Sequence, residues 1–222
     1  MIKTTLTLER FSPHGDLLEK REQESRSWLK HFLDLLYLPC ARFDYTTNDI
    51  GGTPRGLCGF IDSTSAWGTL KVASTPGNTQ ICVHTASGGS AAYCRDTPQK
   101  GEDIGIVVGT GNAAVTPAQD ALQTKVNHGE GAGQLLYGGC ELYGLTFADP
   151  NGQFTIRRYF TNVLGGNITI EEVGIYTPGV TGAIPNPTTS CYIFCAARDL
   201  TGGVLVANGE LLRVTYVVQI TV

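Results

Sequence analysis

Apolar and polar residues alternate along the last third of this chain. A period of two is typical of β-strands, because successive side chains of a strand point to opposite faces of a sheet. Gly, Asn and Pro separate the alternating segments and supply turns between them. The pattern predicts strands over four segments, Phe154–Ile156, Ile168–Tyr176, Cys191–Ala197 and Leu211–Val222.

The C-terminal strand has one face that is more uniformly apolar than the other. That face carries Val214, Tyr216, Val218 and Ile220, and it is expected to point into the core. An unpaired strand at the end of a chain frays and exposes its backbone N–H and C=O groups. The strand is therefore expected to pair on at least one side.

The first 21 residues predict a β-hairpin. Ile2, Thr4, Leu6 and Leu8 alternate with more polar residues, and Ser12–Asp16 supplies the turn chemistry.

The pattern then changes to that of an amphipathic helix over residues 25–38, which Pro39 ends. Trp28, Phe32 and Leu36 share one stripe, and we expect this stripe to pack on the β-body or on another subunit. The polar face lacks the Lys and Arg of a membrane-binding helix.

The overall pattern predicts a mainly β protein, with a β-sandwich or jelly-roll-like domain preceded by the hairpin and one helix. Residues 1–40 are predicted to form a hairpin–helix assembly element, and residues 41–222 the β-body. Residues 41–103 are rich in Thr, Ser, Gly and Pro between short apolar pieces. This composition suits an inserted or lateral meander within the body.

The amino-acid composition limits the kinds of partner that this chain is expected to bind. The 222 residues carry a net charge of −4, which gives no electrostatic reason to expect a nucleic-acid backbone as partner. The N-terminus lacks the apolar core of a signal peptide, and no apolar run of 18 residues occurs. We therefore expect neither nucleic acid nor membrane as a partner, and synthesis in a cytoplasm.

Seven cysteines are scattered without a Cys-x-x-Cys pair. In a chain of this size without an export signal, free thiols are expected. The alternative is a metal site of Cys58, Cys82, His84 and Cys94, but this spacing matches no zinc module. No metal and no cofactor are expected.

The glycine-rich segment Gly105–Ala114 resembles a phosphate-binding turn. A dinucleotide site would need a long helix directly after the glycines, whereas Val115–Pro117 interrupts the segment. Only a short helix is predicted over Thr116–Gln123, with Thr116 as its N-cap and Gln119 completing a capping box. The segment is therefore interpreted as a strand that turns sharply.

Charged residues near the strands are interpreted as structural links. Glu171 and Glu172 are adjacent on a strand and face opposite sides, so they cannot flank one bond as a catalytic pair. One is expected to be exposed and the other to bond an arginine. The available arginines are Arg157, Arg158 and Arg198. Arg198 and Asp199 are expected to end their strand with a salt link or a turn cap. No catalytic motif is present, and no enzyme activity is expected.

Several segments between residues 104 and 222 together resemble structural proteins of tailed bacteriophages, of the tail, collar and fibre type. The most specific part is the strand Ile170–Tyr176, with the pattern Ile-x-Glu-Val-Gly-Ile-Tyr. The other segments are Ile106–Gly111, Asp120–Leu122, Gly129–Tyr137, Arg158–Asn162, Ala197–Asp199 and Asn208–Tyr216. The resemblance implies a virion component.

The expected function is therefore assembly. The chain would form a symmetric homo-oligomer that docks other virion proteins through its N-terminal helix and its strand edges. A second hypothesis is a module that binds the host surface or its glycans, with Trp67, Tyr93 and Tyr143 stacking on sugars. A third is an enzyme that acts on a cell-wall polymer, which would need carboxylates clustered in a cleft.

Overall fold

A computed structural model describes the chain over the following ranges: residues 2–25, 28–29, 32, 45–57, 60–61, 70–74, 77–80, 104–164, 166–181 and 190–221. Over these ranges the protein is mainly β, with two six-stranded antiparallel sheets and a separate two-stranded ribbon. The strands of the ribbon are β3 (Tyr45–Asn48) and β4 (Pro54–Leu57).

The first sheet, sheet A, joins both ends of the chain. Its strands are β1 (Ile2–Phe11), β2 (Leu17–Ser25), β9 (Leu136–Tyr137), β10 (Glu141–Ala148), β11 (Asn151–Thr161) and β14 (Leu211–Thr221). Their order is β10-β11-β14-β1-β2, and β9 pairs with β11. The C-terminal strand β14 is thus paired on both sides, with β1 and with β11.

The second sheet, sheet B, is built around two long strands. Its strands are β5 (Phe60–Ile61), β6 (Leu70–Ser74), β7 (Gly77–Gln80), β8 (Gly105–Gly109), β12 (Ile168–Thr181) and β13 (Ser190–Val206). Their order is β13-β12-β7-β6-β5, and β8 pairs with β12. One cluster of buried side chains includes residues of both sheets, among them Leu6 and Tyr216 of sheet A and Ile106 and Val173 of sheet B.

The four strands predicted near the C-terminus and the N-terminal hairpin are confirmed, although most of them are longer than expected. The hairpin continues to Ser25, and its turn is held by Ser12, whose hydroxyl accepts the backbone N–H groups of His14 and Asp16. On β14, Val214, Tyr216 and Val218 are buried as predicted. Ile220 is 52% exposed, so its predicted burial is wrong.

Among the described residues of the range 25–38, the predicted helix is not seen at Ser25, Trp28 and Leu29. Ser25 ends β2, and Trp28 lies opposite Ala197 in an antiparallel bridge, where the Leu29 N–H donates to the Ala196 carbonyl at 2.9 Å. Backbone that pairs with β13 in this way is extended rather than helical. Phe32 is in a helical turn, and its N–H bonds Leu29, three residues back. Residues 26–27, 30–31 and 33–38 lie outside the described ranges.

Two smaller predictions are wrong in part. Thr116–Gln123 makes a turn and no helix, although the Thr116 N–H does donate to Gln119 Oε1 at 3.1 Å, as a capping box requires. Arg198 and Asp199 do not end their strand, because β13 runs on to Val206. Its pairing with β12 continues through both residues, so they do not act as a turn cap. The alternative, a salt link, is present, because Arg198 pairs with Glu172.

Candidate functional site

The centre of the resembling segments is a buried ion pair between β12 and β13. Arg198 Nε lies 2.5 Å from Glu172 Oε2, and neither side chain is exposed to solvent. The other two guanidinium nitrogens each have an acceptor, because Nη1 bonds Gln119 Oε1 at 2.9 Å and Nη2 bonds the Ala113 carbonyl at 3.0 Å. The arginine therefore connects the sheet to the segment that follows β8.

The Glu172 carboxylate also holds this segment through backbone groups. Its Oε1 accepts the N–H groups of Gly111 (3.2 Å) and Thr124 (2.7 Å), and its Oε2 accepts that of Gln123 (3.0 Å) as well as Arg198. A buried carboxylate is tolerated when opposite charge and hydrogen bonds replace water. Because the Glu172 side chain is completely buried and both of its oxygens accept hydrogen bonds, Glu172 does not present an acid or base to a cleft. The arrangement is structural.

The glycines of the turn are explained by this carboxylate. A Cβ atom at Gly109 would lie 2.5 Å from Glu172 Oε1 and 2.6 Å from the Thr124 carbonyl oxygen. A Cβ atom at Gly111 would lie 2.5 Å from Gln123 Cβ. These distances are shorter than carbon can approach, so the turn needs glycine in order to seat on Glu172. The glycine-rich segment is a close-packed turn.

The same face of β12 holds the segment at two more positions. The hydroxyl of Tyr176 accepts the Leu122 N–H at 2.9 Å, and Gly174 leaves room for the Leu122 side chain. Glu172, Gly174 and Tyr176 are alternate residues of one strand, and all three contact the segment between Gly109 and Thr124. We call this group the β12 clamp.

Asp199 faces the opposite side of β13 and links the two sheets. Its Oδ2 accepts the hydroxyls of Ser25 on β2 (2.7 Å) and Tyr216 on β14 (3.0 Å), and all three residues are buried. Burial, followed by the negative charge of Asp199, raises the pKa of Tyr216 well above its ordinary value. Tyr216 therefore stays protonated as the donor of this bond.

Arg158 makes a second link between the sheets. It is buried on β11, and its donors reach the carbonyls of Gly138 (2.8 Å), Ile104 (2.9 Å) and Ile106 (2.9 Å). Its guanidinium carbon lies 4.9 Å from the centre of the Tyr137 ring. The carbonyls and the aromatic face take the place of water around the charge.

Of the three predicted assembly residues, two are described. Trp28 and Phe32 are half-buried, with ring centres 4.1 Å apart. Among the described residues of this segment, Leu29 is fully buried. Leu36 lies outside the described ranges, as do Cys58, Cys82, His84 and Cys94 of the alternative metal site.

Two described cysteines are free thiols, the exposed Cys140 and the buried Cys195. The Cys195 thiol donates to the Ala197 carbonyl, and burial raises its pKa. No group of three metal-ligating side chains occurs in the part of the chain that the structure describes.

Sequence reasoning missed an apolar surface at one end of sheet A. Leu142 and Phe147 of β10 are 72% and 81% exposed, and the exposed Ile220 of β14 lies near Phe147. A cavity of about 420 Å³ opens there between Phe147, Phe154 and Ile220. A signal was present, because β10 has a single charged residue, Glu141, among its eight. We call this region the β10 surface.

The chain matches no protein-family model, and neither the curated proteins nor the solved structures contain a match to it. Within the described ranges, no helix has the length and apolar character needed to cross a membrane.

Proposed function

We propose that this chain is a structural subunit of a tailed-bacteriophage particle, located in the tail, collar, baseplate or fibre attachment. Within the virion it would self-assemble and dock other virion proteins. The proposal includes the fold type, because two antiparallel sheets that share one cluster of buried side chains are typical of a β-sandwich.

The β12 clamp is the observation that carries this proposal. Ile170–Tyr176 is the most specific segment of the resemblance, and its Glu172, Gly174 and Tyr176 hold two other resembling segments, Ile106–Gly111 and Asp120–Leu122. Arg198, from a fourth segment, completes the clamp. Residues that are far apart in sequence therefore form one packed unit. This packing favours a shared fold as the explanation of the resemblance, because glycines that any β protein could have would not need to pack together.

The proposal is tested on particles from the strain that encodes the chain. Phage particles purified by density gradient are digested, and peptides of this chain are quantified by mass spectrometry against the major capsid protein. We expect a constant ratio across gradient fractions, with antibody labelling at the tail end of the particle. Absence of the chain from particles that infect normally would overturn the proposal.

A second candidate is glycan binding, which one aromatic side chain favours. Tyr143 is 43% exposed, and the guanidinium carbon of Arg157 lies 4.6 Å from its ring centre. A supported aromatic ring beside a cation is a surface on which a sugar can stack. Trp67 and Tyr93 lie outside the described ranges.

Glycan-array binding of the full chain and of the Tyr143→Ala variant tests this function. A signal that Tyr143→Ala abolishes would favour it. Equal signals, or none, would reject it.

A further inference from the structure

The two outer strands of sheet A differ in how their edges are protected. On β2, charged residues follow one another from Glu19 to Glu22, and Arg21 and Gln23 donate to carbonyls of β13. On β10, Glu141 is the only charge, and no strand pairs with the outer edge among the described residues. Proteins usually protect an outer edge with charge, so an apolar edge is a site where another strand can pair.

A β-bulge aligns the apolar side chains of β10. Leu142 pairs with Ile156 and Phe147 with Gly152, and the register shifts between Tyr143 and Thr146. Because residues 152 and 156 lie on the same face of β11, Leu142 and Phe147 share that face although they are five residues apart.

This face is the one that points into the core elsewhere in the sheet. Ile156 pairs with Tyr216, which is fully buried, and Gly152 pairs with the exposed Ile220. The β10 surface is therefore the uncovered end of the apolar inner face of sheet A.

The sequence of β10 is complementary to itself under two-fold symmetry. Suppose that a second copy of β10 pairs antiparallel with the first, with a two-fold axis between Gly144 and Leu145. Leu142 then lies opposite Phe147 of the other copy, and the symmetry repeats this pair on the other side of the axis. Tyr143 then lies opposite Thr146 on the other face. An interface of this kind, in which one patch contacts its own copy, is what a two-fold dimer requires.

We propose that the β10 surface binds a second copy of this chain by antiparallel β10–β10 pairing, which joins the two A sheets into one. This inference deepens the proposed function, since it names the surface through which copies self-assemble.

The exposed area is consistent with contact to a second copy of the chain. On the inner face, Leu142, Phe147 and Ile220 are 72%, 81% and 52% exposed. Together such side chains expose roughly 400 Å² of apolar surface, which is as large as the largest patch on many monomers, and such patches are often functional. Adding the backbone edge of an eight-residue strand brings the contact towards the roughly 800 Å² per partner that is typical of a stable interface.

Analytical ultracentrifugation of the full chain measures the association. We expect a dimer, or an assembly of dimers, whose dissociation constant rises at least about tenfold in the Phe147→Lys variant. Leu18→Lys is the matched control, because Leu18 is an exposed leucine on the protected edge strand β2. It should associate as the wild type does, and both variants should keep the wild-type circular dichroism.

Cysteine cross-linking tests the register. Leu142→Cys and Phe147→Cys chains are oxidised separately and as a mixture, with the wild type as background control. Directly opposed residues of paired strands lie within disulfide distance. We therefore expect a new covalent dimer in the mixture and not in either variant alone.

Three outcomes overturn the inference. If the oligomer persists unchanged in Phe147→Lys, the β10 surface is not the contact, whereas self-assembly through another surface stands. If the wild type is a monomer at every concentration, both the contact and the self-assembly are wrong, and incorporation into particles remains a separate measurement. If Phe147→Lys lowers the thermal midpoint of a monomer far more than Leu18→Lys does, the chain's own residues cover this surface.

Discussion

Arg198 and Glu172 form an ion pair of 2.5 Å in which both side chains are completely buried. Each charge is surrounded by protein donors or acceptors, and these come mainly from the segment between Ala113 and Thr124. The pair therefore has two roles. It joins β12 to β13, and it fixes the position of a segment that has almost no regular secondary structure of its own.

Removing the negative charge should leave Arg198 buried without compensation. We expect Glu172→Gln to lower the free energy of unfolding by about 3–5 kcal/mol, the usual effect of breaking a buried pair. Urea unfolding followed by tryptophan fluorescence measures the loss. Glu171→Gln is the control, since Glu171 is only half-buried, and it should cost less than about 1 kcal/mol. Equal losses in the two variants would contradict the role of the pair.

Two glycines give a steric test of the β12 clamp. A Cβ atom at Gly109 meets Glu172 and the Thr124 backbone, whereas one at Gly139 meets nothing within 4 Å. We expect Gly109→Ala to cost about 1–3 kcal/mol through overpacking and Gly139→Ala to be near neutral. Thermal unfolding of both variants measures the difference. A near-neutral Gly109→Ala would mean that the turn is not closely packed on Glu172.

Tyr216 should make the protein less stable in alkali. Burial raises the pKa of Tyr216 in the folded chain above its ordinary value of 10.0. Its stabilising contribution is therefore complete below about pH 10 and is lost as the pH rises further, because only the unfolded chain releases the proton. The loss amounts to about 1.4 kcal/mol per pH unit for one group.

The Tyr216→Phe variant isolates this effect. At neutral pH it should be about 1–3 kcal/mol less stable than the wild type, since Asp199 loses one of its two hydroxyl donors. Above pH 10 the unfolding free energy of the variant should fall less steeply with pH than that of the wild type. The difference in slope should correspond to the release of one proton on unfolding. Denaturant unfolding at a series of pH values compares the slopes, and parallel slopes would refute the assignment.

The sequence pattern identifies which face of a strand is apolar, but it does not show where the covering layer ends. On β14 the same alternation runs through Tyr216, Val218 and Ile220, yet exposure rises from zero to 52% along these three residues. Burial of the last residue depends on how far sheet B extends over sheet A. That is a tertiary property, and it is the reason that the β10 surface was missed.

Which arginine pairs with the glutamate also depends on tertiary structure. The alternation predicts that one of Glu171 and Glu172 bonds an arginine, but choosing Arg198 requires the register of β12 on β13. The start of the helix was predicted wrongly for a related reason. Trp28 and Leu29 pair with Ala196 and Ala197, which lie far away in sequence, and local periodicity contains no information about such a contact.

The corrected conformation near Trp28 changes which residue should matter most. Leu29 is fully buried in the shared core, whereas Phe32 is half-buried. We expect Leu29→Ala to cost about 2–5 kcal/mol and Phe32→Ala distinctly less. Chemical unfolding of both variants measures the order. The reverse order would indicate that Phe32, and not Leu29, anchors this segment.

The C-terminal strand should be indispensable to folding. β14 lies between β1 and β11 and pairs with both over nearly its whole length. Deleting residues 211–222 would separate the N-terminal hairpin from the rest of sheet A and expose two unpaired edges, together with the apolar faces of Leu6, Leu8 and Phe160. We therefore expect insoluble protein, measured as the soluble fraction after expression. A soluble, monodisperse truncation with native-like circular dichroism would show instead that β14 is an appendage, which one copy could donate to another during assembly.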